Sequence, residues 1–84
     1  MDVYIVYTDR QIGPFPDTYI DGVFKSKENA WKCIESKYYR FVKAILDLVK
    51  IIDIRIDNNG MVIYFEDDTG RHFIAYRITQ IELK

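Results

Sequence analysis

Eighty-four residues, 49% of them hydrophobic and 15% aromatic, describe a single folded domain over residues 1–84 and exclude an intrinsically disordered chain. A net charge of −1 excludes binding by bulk charge alone, and a single cysteine, Cys33, excludes an internal disulfide. At this size folding buries only about 60% of the unfolded surface, so the stability margin is thin and oligomerisation would widen it.

No apolar run has the length of a signal-peptide core or a membrane span. With the lone thiol, this points to a reducing cytoplasm and to no membrane partner. In chain order, Val3 to Tyr7 is β-branched and aromatic on both parities, as in a strand covered on two sides or placed at an oligomer contact. Residues 9–19 break that pattern. Both prolines fall in Gly13-Pro14-Phe15-Pro16-Asp17, which predicts a surface loop and makes its aromatics Phe15 and Tyr19 candidate anchors for a protein partner. Ile20 to Phe24 reads as a short strand. Ser26 then suits a helix N-cap, with Glu28 in the first turn where a carboxylate favours the helix dipole.

Ala30, Trp31, Ile34, Tyr38, Phe41, Val42, Ile45, Leu48 and Val49 keep helical phase, predicting one long amphipathic helix over about residues 27–50. Glu28, Lys32, Glu35, Ser36, Tyr39, Lys43, Asp47 and Lys50 fall on the opposite face. Residues 25–50 hold seven Lys or Arg against three acids, while both flanks are net acidic, so the surface is bipolar. Lys32 and Lys43 are therefore assigned to protein binding, orienting a partner. The same face, with Ser36, Tyr39 and Arg40, is the best phosphate-binding patch. Its acids dilute it, which leaves nucleic acid as the lesser alternative.

Ile52, Ile54 and Ile56 alternate with Asp53, Arg55 and Asp57, placing three isoleucines toward the helix and three charges in solvent. Asn59-Gly60 predicts a tight turn that sets Ile56 opposite Ile63 and Ile54 opposite Phe65. Asp67-Asp68-Thr69-Gly70 is a second turn. A three-residue loop here faces Phe65 with Phe73 in the core and leaves Val62, Tyr64, Ile74, Tyr76 and Ile78 outside, whereas a two-residue loop turns Ile74, Tyr76 and Ile78 inward. The first is preferred because a positive φ at Thr69 is costly. One helix cannot cover both faces of a sheet, so either the 9–19 loop and the Ile81-Glu82-Leu83 tail cover the second face or a partner does, and a homodimer is predicted with Tyr64, Ile74 and Tyr76 in or near the contact.

Chemistry is sparse. One His and one Cys cannot supply a zinc or iron site, no cofactor motif is present, and the four glycines do not form a phosphate loop. His72 reads as a half-exposed strand residue, Cys33 as a structural thiol and Ser26 as a cap, so no catalytic residue is assigned. Glu66, Asp67 and Asp68 lack the spacing of a calcium loop.

Asp2-Val3-Tyr4-Ile5-Val6-Tyr7, followed by Ile20-Asp21-Gly22-Val23-Phe24-Lys25-Ser26-Lys27-Glu28-Asn29-Ala30, resembles a family of small uncharacterised bacterial and phage domains over residues 2–34. Those domains join a strand opening Val-Tyr to a Gly-Val-Phe/Tyr-x-Ser strand and a helix opening Glu-x-Ala. The resemblance implies a phage or mobile-element accessory protein that inhibits or modulates a larger host protein. The sequence thus predicts an α+β domain of order β-β-α-β-β-β, an antiparallel sheet packed on one helix. It predicts a non-catalytic protein-binding module, with nucleic-acid binding or a nucleotide-like ligand between loop 9–19 and the sheet as alternatives.

Overall fold

The computed structural model describes residues 1–12, 15–45 and 48–83, the side chains of residues 12 and 15 excepted. Chain order is β1 (Asp2–Ile12), β2 (Phe15–Phe24), α1 (Lys27–Ile45), β3 (Lys50–Asp57), β4 (Gly60–Asp67) and β5 (Gly70–Glu82). The five strands form one antiparallel sheet in the order β2-β1-β5-β4-β3, with α1 packed on one face. This is the α+β architecture that the alternating and helical patterns predict.

Ser26 caps α1 as its sequence position requires: its hydroxyl oxygen accepts from the Asn29 amide at 3.1 Å and its carbonyl from the Ala30 amide at 3.2 Å. The first satisfies one of the donors that a helix start leaves unpaired, and the second is the helix's first i→i−4 bond. The inward stripe also holds. Ala30 and Ile34 are fully buried, and Trp31, Cys33, Tyr38 and Phe41 pack half-buried on the core. The Phe41 ring meets Phe65 of β4 edge-on at 5.4 Å between centroids.

The helix ends five residues before the predicted Lys50. Lys50 pairs with Glu66 and Ile51 with Phe65, so the chain must leave the helix to begin β3. The Leu48 and Val49 amides both donate to the Ile45 carbonyl, and Leu48 is 75% exposed rather than part of the apolar stripe. Asp47 lies outside the described residues.

Residues 9–19 are a correction. The expected loop is a hairpin whose strands pair out to Ile12↔Phe15, with Gln11 opposite Pro16. Proline is tolerated because β2 is the sheet's outermost strand, where its missing N–H faces no neighbour. Residues 13–14, including Pro14, lie outside the described residues.

Both later turns close one residue earlier than expected. Asp57 pairs with Gly60 and Asp67 with Gly70, leaving Asn58-Asn59 and Asp68-Thr69 as two-residue loops. Each loop follows an Asp that accepts from the amide two residues on, Asn59 at 2.7 Å and Thr69 at 2.8 Å. Among the described residues only Gly60 and Gly70 have positive φ, so Thr69 avoids the strain that disfavoured the shorter loop. In β3–β4 the change moves Ile56 opposite Met61 and Ile54 opposite Ile63 without exchanging faces.

In β4–β5 the shift exchanges them. Ile63 faces Ile74, Phe65 faces His72, and Ile74, Tyr76 and Ile78 point into the core under α1, each at most 6% exposed. Ile74 and Tyr76 are therefore buried core residues and not dimer-contact residues. On β3 a bulge between Ile51 and Asp53 turns Ile51 inward and leaves Ile52 45% exposed.

Candidate interaction surface

Partners across the ladders share a face, so the residues opposite the helix side can be read along the register. One transverse row runs Pro16, Gln11, Phe73, Tyr64, Asp53; the next runs Thr18, Asp9, Ala75, Val62, Arg55; a third runs Ile20, Tyr7, Arg77, Gly60, Asp57. Beyond them Val23 lies beside Ile5, and Val3 beside Ile81. No secondary-structure element among the described residues covers this side. Val3, Ile5, Tyr7, Val62, Tyr64 and Phe73 are only half-buried, by their own neighbours, while Ile20 and Val23 are 69% and 60% exposed.

The best-formed part of this face surrounds Tyr64. Its ring lies 6.4 Å from that of Phe73, and the Arg55 guanidinium sits 5.5 Å above the Tyr64 ring. Arg55 Nε also donates to Asp53 Oδ2 at 3.1 Å, and Arg71 stands 3.6 Å from Glu66. Two adjoining shallow cavities of about 320 and 210 Å³ share Tyr64, Arg71 and His72 in their walls. Aromatic and arginine side chains in shallow depressions are the composition of a protein contact. Both arginines already have carboxylate neighbours, so the surface offers little to a free anion.

The predicted binding residues are not brought together. Phe15 opens β2 in the backbone, but its side chain lies outside the described residues. Tyr19 is on the helix side of an edge strand rather than on a loop, its ring flanked by Arg10 at 5.5 Å and Lys37 at 5.9 Å. Lys32 and Lys43 are exposed on the outer side of α1, Lys32 at 3.7 Å from Glu28 and Lys43 over the Tyr39 ring at 5.9 Å. Of the predicted dimer residues, Tyr64 alone is on the open face.

Two polar clusters escaped the sequence reading. The ladder between β1 and β2 slips between Val6 and Tyr7, leaving Asp21 as the extra residue. Asp21 turns beneath the helix, where its carboxylate accepts from Thr8 Oγ1 at 2.5 Å and pairs with Lys37 Nζ at 2.6 Å. Thr8 is fully buried and the Asp21 side chain 3% exposed. Burial also pushes the neighbouring Tyr76 phenol up to about 12, with Tyr19 and Asp21 adding to the rise and Arg10 opposing it. Gly22, a glycine within a strand pattern, was the available sign of the bulge.

The second cluster lies at the β4–β5 turn. His72 is buried, not half-exposed: its Nε2 lies 2.8 Å from both Asp67 Oδ1 and Thr69 Oγ1. The Thr69 hydroxyl, His72 and the Thr69 amide together hold the Asp67 carboxyl down at about 2. Burial raises the Cys33 thiol above its ordinary range, which disfavours the reactive thiolate. Among the described residues no group of His, Cys, Asp and Glu is arranged to hold a metal ion, and no helix is long and apolar enough to cross a membrane.

The family described as Domain of unknown function (DUF7336) matches residues 1–84. The chain belongs to that family. No curated protein and no solved structure matches it. The match spans the whole chain, residues 1–84, and is to an uncharacterised domain family.

Proposed function

We propose that this member of the family is a non-catalytic protein-binding module whose contact surface is the open face of the sheet. The observation that carries the reading is the missing layer: one helix covers one side of five strands, and the other presents Tyr7, Tyr64 and Phe73 among aliphatic side chains. The potentially reactive groups have structural employment, Ser26 as a cap, His72 in β5 bonded to the β4–β5 turn and Cys33 against the core. The context we attach to this reading is that of an accessory protein acting on a larger host protein. Exposed Lys32 and Lys43 then influence the partner's approach.

A photo-crosslinking residue placed at Tyr64 in cells, compared with the same residue at exposed Tyr39 on α1, tests the surface directly. Discrete covalent adducts at position 64 and none at 39 are expected. Adducts at 39 alone, or at neither position, would overturn the proposal.

A further inference from the structure

We infer that the occupant of the open face is a second copy of this chain, packed sheet to sheet about a twofold axis running along β5. The inference rests on the reading of that face as a contact surface and replaces the larger host protein as its occupant with a second copy. Its first support is area. A compact protein of 10.0 kDa has about 5,200 Å² of accessible surface, whereas this chain has 5994 Å². The excess, on the order of 750 Å², is close to the roughly 800 Å² that each partner contributes to a stable interface. The radius of gyration agrees: 13.7 Å against about 12 Å for a compact chain of this length. A two-layer molecule lacks a third layer, and a facing sheet would supply it.

The second support is the charge pattern of the central row. Asp9 on β1 and Arg55 on β3 lie at the same level of the sheet, on either side of Ala75 on β5. Rotation about an axis along β5 lays β1 over β4 of the second copy and β2 over its β3. Asp9 of each copy, which in its own chain accepts from Thr18 Oγ1 at 3.1 Å, then faces Val62 of the other with Arg55 one strand to the side, twice by symmetry, and Tyr7 falls over Gly60, where there is no side chain to meet it. An axis across the strands would instead set Asp9 on Asp9 and Arg55 on Arg55. Arg77 lies near the chosen axis, where the roughly 30° angle between packed sheets offsets its two copies by only about 3.5 Å, so the two guanidinium groups must splay apart toward solvent. Within one chain Asp9 and Arg55 are three strand spacings apart, about 14 Å, so any coupling between them must pass between copies.

Sedimentation equilibrium on the purified chain and its charge-reversed variants tests this. A dimer of twice 10.0 kDa is expected for the parent. Asp9→Arg and Arg55→Asp should each weaken dimerisation at least about tenfold, or about 1.4 kcal/mol, and the double reversal should restore it to within about threefold. A 10.0 kDa species alone at roughly 200 µM, or a double reversal no tighter than the weaker single variant, overturns the inference. If a reversed variant does not fold, the photo-crosslinker at Tyr64 in otherwise unaltered purified chain decides: a covalent dimer supports the second copy, and its absence rejects it. A monomer whose position 64 still captures a foreign protein in cells overturns the dimer and upholds the binding surface. A monomer that captures nothing there overturns both.

Discussion

Asp67 shows how much one side chain can organise. Its Oδ1 accepts from the Thr69 hydroxyl at 2.6 Å and amide at 2.8 Å, and meets buried His72 at 2.8 Å, so it selects the two-residue loop that exchanges the faces of β5. These bonds favour the carboxylate and depress the Asp67 pKa from 3.8 to about 2 in the folded chain. A depressed acid contributes stability that is present above its unfolded pKa and lost as pH falls through the folded value. The advantage of the parent over Asp67→Asn, followed by urea midpoints, is therefore expected to shrink as pH falls between about pH 4 and pH 2. A difference that stays constant across that interval would show that the ionised carboxylate is not what holds the turn. An Asp at the start of a turn was legible as local hydrogen-bonding chemistry. Its link to His72 was not, because that requires knowing which face His72 occupies.

At the scale of elements, helix α1 is tied to the sheet by an apolar stripe and by one ion pair of unusual depth. Lys37 reaches Asp21 at 2.6 Å with side-chain exposures of 27% and 3%, whereas Lys32 and Glu28 stand 3.7 Å apart at 66% and 81%. Lys37→Met removes the charge partner of a buried carboxylate and is expected to cost about 3 kcal/mol, while Lys32→Met costs under about 0.5 kcal/mol. Chemical denaturation of the two variants checks the contrast, and equal midpoints would reject it. The stripe from Ala30 to Phe41 was readable because α-helical phase is a local property. Nothing local marks Lys37 among the basic residues of 25–50, because the bulge that aims Asp21 at it arises only when β1 and β2 pair.

The whole molecule is long and thin, 47 × 23 × 19 Å, and a two-layer domain of this shape buries little for its length. If two copies share their open faces, folding and association are linked, since the dimer holds only folded chains. The thermal midpoint is then expected to rise with protein concentration, while that of a Tyr64→Asp/Phe73→Asp variant stays fixed at a lower value. Differential scanning calorimetry over a hundredfold concentration range measures both, and a concentration-independent parent midpoint would argue against linked assembly. The edges fit an assembly through faces: β2 carries Pro16 and a bulge, and β3 carries Asp53, Arg55 and its own bulge, devices that discourage strand addition.

The sequence by itself determined the element order, the Ser26 cap and the inward side of α1, while of the three alternating isoleucines of β3 only Ile54 packs on the core. The first three depend on residues within one or two turns of each other or on a period the backbone imposes. Tertiary structure decided where the helix stopped, that Pro16 could belong to a strand, and which side of β5 faced the core. β5 carries Phe73 and Ala75 on one parity and Ile74, Tyr76 and Ile78 on the other. With apolar side chains on both, hydrophobicity alone did not select the register. A one-residue slip at the Asp67–Gly70 turn then moved Ile74 and Tyr76 into the core and left Tyr64 and Phe73 as the half-buried aromatic pair of the open face.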